Sequence, residues 1–71
     1  MSERVKIEIY DQTYHIAGDL QSDYVEELAA YVDGKMRDVA RSTGTVDSVR
    51  VAVLAALAIA DELHALKQGR D

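Results

Sequence analysis

The residues best suited to acid–base or metal chemistry are two histidines, and neither belongs to a cluster. The chain alternates apolar and polar residues on both sides of Asp11 and Gln12. A hairpin that pairs Tyr10 with Thr13 places Glu8 opposite His15 on the wet face. There the pair reads as a solvated ion pair when the imidazole is protonated. His64 follows Asp61 by three residues and precedes Gln68 by four, and metal or proton-transfer chemistry needs more convergent ligands than these. With no cysteine there is no thiolate ligand and no thiol nucleophile. Asp33, Arg37, Asp38 and Arg41 read as a solvated mixed-charge helix face, and Tyr10, Tyr14, Tyr24 and Tyr31 as core or rim filling. No glycine-rich phosphate loop, paired carboxylate in a cleft or nucleophile elbow is present. The expectation is a protein that is not an enzyme, with no catalytic, cofactor-binding or metal-ligating residues.

The elements that carry these side chains follow from periodicity. Val5, Ile7 and Ile9 alternate with Lys6, Glu8 and Tyr10, and Tyr14 and Ile16 continue the alternation after the turn, the period-two mark of a half-buried strand. The shared apolar face predicts a hairpin over about residues 4–17. Asp23 followed by Glu26 resembles a capping box and starts a helix over about 22–42. Its stripe is Val25, Leu28, Val32, Met36 and Val39. Asp33 and Arg37 lie on its wet side at the favourable four-residue spacing, and Gly34 either permits a close backbone approach or is tolerated. Gly44 is a natural helix stop, and Asp47 or Ser48 begins a second helix to about residue 68.

That second helix contains VAVLAALAIA, ten apolar residues from Val51 to Ala60. Val49, Ala52, Ala56, Ile59, Leu63 and Leu66 recur at alternating three- and four-residue spacing, a seam that pairs helices. Val53, Leu54, Leu57 and Ala60 form a second stripe, rotated away from the first. The rest of the chain can cover one stripe, and a second molecule must cover the other, because each buried Leu or Ile contributes roughly 1.5–3 kcal/mol. The fold class is therefore α+β: a two-stranded antiparallel hairpin followed by two helices, the second long and forming a homodimeric helix-packing interface. Residues 1–71 make one domain.

A chain of 71 residues buries only about 60% of the surface its unfolded form exposes and often needs a staple or a partner. Without disulfides, oligomerisation is the remaining candidate. The net charge of −5 argues against nucleic acid or an anionic membrane as partner. A helix-turn-helix reading fails because the helix after Gly44 is apolar rather than basic. MSERVKIEIY carries charges where a signal peptide needs an apolar core, and the apolar run is half the roughly 20 residues that span a bilayer. A soluble, cytoplasmic protein is expected.

VKIEIYDQTYHI, LAAYVDGKMRDVA and VAVLAALAIADEL, in that order, resemble the ZapA-type bacterial cell-division proteins from residue 5 to about residue 66. YVDxKM (Tyr31, Val32, Asp33, Lys35, Met36) and the run from Ala52 to Leu63 are specific in combination. The resemblance implies a cytoplasmic protein at the division site, without cofactors, that dimerises through its long helix and in the family also forms tetramers. Its implied partner is the tubulin-like GTPase FtsZ, whose filaments it helps associate. Family hairpins usually have glycine where this chain has Asp11. Family members usually continue as an extended coiled coil beyond Leu66, and the tetramer leans on that tail, so the dimer is the firmer expectation. Filament contacts are expected from the hairpin's exposed face and from Lys35, Arg37, Arg41 and Arg50, which lie off the apolar stripes. A homodimerisation or scaffold module with a different protein partner is the alternative.

Overall fold

The computed structural model describes residues 3–69. Four elements follow one another: β1 (Glu3–Ile9), β2 (Gln12–Gly18), α1 (Ser22–Thr43) and α2 (Ser48–Lys67). The strands form one two-stranded antiparallel sheet, the hairpin-then-helices order that alternation and helical periodicity imply. Packing divides the chain into two units, residues 1–34 and 35–71.

In the first unit the hairpin turns two residues away from the expected register. Ile9 opposes Gln12, Ile7 opposes Tyr14 and Val5 opposes Ile16, so the turn is Tyr10–Asp11 rather than Asp11–Gln12. Both turn residues are left-handed, with φ of 51° at Tyr10 and 67° at Asp11, as a type I′ turn demands. Aspartate tolerates that conformation, whereas the expected register would have forced it on Gln12. A second cause is tertiary. The Tyr10 N–H donates to Asp33 Oδ1 at 2.7 Å, which places Asp33 half-buried at the turn rather than on a wet helix face. A displacement of this parity keeps Val5, Ile7 and Ile9 on one face. It does break the Glu8–His15 pair, because Glu8 opposes Thr13 and His15 opposes Lys6.

Val5 and Ile7 of β1 pack with Val25 and Ala29 of α1, and Ile9 packs against that cluster. Every residue of β2 is exposed. Tyr14 and Ile16, expected to share the buried face, keep 47% and 42% of their surface in solvent, since the core forms over β1 alone. Leu28 is exposed as well, and Ala29 takes its place in the buried stripe. A small residue there lets helix and strand approach closely. Of the tyrosines only Tyr10 is even half-buried. The helix starts one residue before Asp23, with the Val25 N–H bonded to the Gln21 carbonyl at 3.0 Å. Asp23 therefore lies within the first turn instead of capping it.

In the second unit Met36, Val51 and Ala55 are buried. α1 ends where Gly44 turns left-handed (φ 72°) and donates its N–H to the Ala40 carbonyl at 2.9 Å, an αL cap. Asp47 caps α2, its Oδ1 accepting from the Val49 N–H at 3.1 Å. Lys35 Nζ donates to Glu62 Oε2, tying the last turns of α1 to α2.

Gly34 resolves into the tolerated alternative. It is exposed in the interior of α1, and a Cβ added there meets nothing within 4 Å, so no close approach within the single chain is seen at it. Gly34→Ala is expected to stabilise the protein by about 0.5–1 kcal/mol. That amounts to a rise in melting temperature of roughly 4 °C in a thermal scan.

Candidate interaction surfaces

α2 sorts its residues by exposure rather than by size. Val51 and Ala55 are buried, and Ala58, Glu62 and Ala65 continue their line at half-burial, a 4-3-4-3 spacing. The side of the helix turned inward is thus made mostly of alanine, and the larger aliphatics are turned out. At about 100° per residue, the outward apolar arc runs from Leu66 through Leu63, Ala56, Val49 and Val53 to Leu57, roughly half the circumference. Lys67 and His64 interrupt it, and Ser48 shares its rim with Leu66.

The expected seam lies on this arc. Val49, Ala52, Ala56, Leu63 and Leu66 are exposed, Val49 and Leu66 by 70% and 75%, and Ile59 is half-buried beside the inward line. The second stripe, expected to be covered within the chain, is also exposed at Val53, Leu54, Leu57 and Ala60. Sequence reasoning missed the inward line because three of its members are alanines and one is Glu62. Glu62 is legible there only in hindsight, through its bond to Lys35. An arc of this size on a chain this small is what interaction surfaces look like.

The four basic candidates do not form one patch. Lys35 lies about 160° around α1 from Arg37 at 3.6 residues per turn, and its ammonium is held by Glu62. Arg37 and Arg41 share a flank one turn apart, both exposed, with Arg41 bonded to Asp38. Arg50 is exposed in the first turn of α2. His15, His64 and Asp61 are exposed, and among the described residues no group of three or more His, Cys, Asp or Glu converges as a metal site would require. No helix is long and apolar enough to cross a membrane among the described residues.

Strand, strand, helix, helix, with a broad apolar arc of the last helix exposed, defines a small α+β protein. The family model described as cell division protein ZapA matches residues 5–71. A cell division protein ZapA from Halalkalibacterium halodurans is 36% identical over 66 residues, covering 93% of this chain and 72% of the relative. One from Bacillus thuringiensis is 35% identical over 65 residues, covering 92% and 73%. Among solved structures, a ZapA mutant dimer from Geobacillus stearothermophilus superposes with a TM-score of 0.76 at 35% identity, covering 97% of this chain and 80% of that one. This chain belongs to the cell division protein ZapA family.

Proposed function

We propose that the protein is a non-enzymatic adaptor of cytoplasmic division machinery, a homodimer that binds FtsZ filaments and promotes their association. The observation that carries this reading is the open apolar arc of α2 on a chain of this family. A second copy supplies the cover that the arc needs, and the relative that superposes on this chain is itself described as a dimer. Val49, Ala52, Ala56, Ile59, Leu63 and Leu66 form the seam between copies, with Ile59 at its inner margin. Dimerisation is the mechanism. Two identical binding surfaces on a symmetric body reach two filaments, and the second contact forms at an effective concentration set by the first.

The filament contact falls to exposed cations. Arg37 and Arg41 on one flank of α1 lead it, Arg50 adds to it, and Lys35, held by Glu62, contributes least. Contacts of this kind act through long-range attraction and weaken as salt shortens the Debye length to about 8 Å at physiological ionic strength. Arg37→Glu combined with Arg41→Glu is expected to reduce co-sedimentation with FtsZ filaments several-fold at low salt while the native mass stays that of a dimer. Unchanged co-sedimentation would remove these residues from the contact. Unchanged light scattering of filaments on adding the wild-type protein would favour a dimerisation module with another partner.

A further inference from the structure

The hairpin has two outer edges, and the sequence guards only one of them. Ile9 and Gln12 close the turn, so Gln12, Tyr14, Ile16 and Gly18 aim their N–H and C=O groups at β1. Those of Thr13, His15 and Ala17 aim outward, and among the described residues no third strand pairs with them. Edge strands are normally blocked by proline, a bulge or charged side chains. β1 carries such a guard, since its outward positions are Arg4, Lys6 and Glu8. β2 reads QTYHIAG, with an unbroken register, no proline and no Lys, Arg, Asp or Glu.

A pocket adjoins the last residues of this open edge. Its volume is ≈ 60 Å³, and Val5, Ile16, Ala17, Gly18, Leu20 and Val25 line it. No lining side chain is polar, so an aliphatic group suits it better than water. Tyr14 and Ile16 share the face of Ile7 and Val5 but remain exposed, and a strand added here would cover them.

We infer that the outer edge of β2 docks an extended segment of a partner protein, with an aliphatic side chain in the pocket and lysine or arginine two residues to either side. In strand addition the backbone pairing supplies affinity, and pockets for alternate side chains supply specificity. Residues two apart on the added strand face the same way, so the basic groups share the α1 side with the aliphatic one. Charge selects this occupant. From Ile7 to Gly34 the chain has no Lys or Arg. Asp19 lies between the lining residues Gly18 and Leu20, and Asp23 and Glu26 flank Val25, all three exposed. Arg4 and Lys6 sit on the other face of the sheet by alternation. The same acidic surround rejects a second copy of this edge, whose charges would meet their like. The surface belongs to residues 1–34, whereas Lys35, Arg37, Arg41 and Arg50, proposed for the filament contact, all fall in residues 35–71. The adaptor therefore offers a basic partner a surface separate from those cations.

The probe is a capped peptide as long as β2, all threonine except for a central isoleucine and a lysine two residues to each side of it. Added to the isotope-labelled full chain, it should slow amide exchange at Thr13, His15 and Ala17. The slowing should be roughly tenfold at about ten times the binding midpoint. Peptides with glutamate for lysine, or alanine for isoleucine, should not slow these amides at the same concentration. His15→Pro removes the central outward N–H and keeps those that face β1, so it should abolish the effect. If that proline disturbs the hairpin, Asp19→Lys with Asp23→Lys should abolish it on an intact edge. Equal slowing by the glutamate peptide would overturn the basic partner. Binding that leaves the three amides unchanged would overturn the strand addition. So would amides already protected in the protein alone, because a second copy would then cover the edge. No filament is present, so these outcomes stand apart from whether the protein binds FtsZ.

Discussion

Ala56→Glu and Leu63→Glu, introduced together, are expected to halve the native mass and lower the melting temperature. The two positions are one heptad apart on the outward arc of α2, and both are exposed in the single chain. Ile59 lies between them but is half-buried beside Val51 and Ala55, so a charge there would damage the chain's own packing and the seam together. Each copy loses one leucine contact, at roughly 1.5–3 kcal/mol per buried side chain, and a symmetric pair loses two. The dissociation constant should rise by about 10²–10⁴-fold on that account alone. Carboxylates left without partners in the seam add to the loss. Sedimentation or light scattering at micromolar concentration reads the outcome. If no folded monomer is stable, the same loss appears as a melting temperature that falls on dilution. Filament association should disappear with the dimer, because one binding surface cannot bridge two filaments. Unchanged mass and unchanged melting would remove the seam from the interface.

Much of this architecture was legible because alternation and helical spacing survive even in a short chain. VKIEIY and QTYHIA announce two strands, and the Gly44 and Asp47 signals bracket the helix connection where the structure has its αL cap and its N-cap. The inward faces were less legible, for one reason in both helices. Hydrophobic stripes are read through their largest members, Leu28 in α1 and Leu54 or Leu57 in α2, whereas the buried lines run through Ala29, Ala55 and Ala58. Alanine buries little area itself but permits close approach of the backbones. Leucines displaced outward in this way become surface that a partner can cover, so the misread core and the candidate interaction face have one origin. The pocket beside Leu20 was hidden for a different reason. Its lining comes from both strands and α1, and no single period spans them.

Asp33 carries the last expectation. In YVDxKM it reads as half of a surface ion pair, worth about 0.2–1 kcal/mol at most. The structure gives its Oδ1 the Tyr10 N–H, 23 residues away, at 2.7 Å. That N–H sits in a turn with two consecutive non-glycine residues at positive φ, a conformation that costs of order 1 kcal/mol or more per residue. A charge-assisted bond to a half-buried carboxylate contributes about 1.5–3 kcal/mol, enough to offset the turn. Asp33→Ala should therefore destabilise by that amount, a fall of roughly 10 °C in melting temperature for a chain of this size. Asp33→Asn keeps an acceptor oxygen and should fall between wild type and alanine. The discriminating measurement is amide exchange. If Asp33 anchors the turn, Tyr10 loses protection in Asp33→Ala well before the ladder amides of Val5 and Ile7 do. Equal loss along the whole hairpin would mean that the aspartate supports the unit at large. An unchanged Tyr10 amide would mean that the turn holds its register without it.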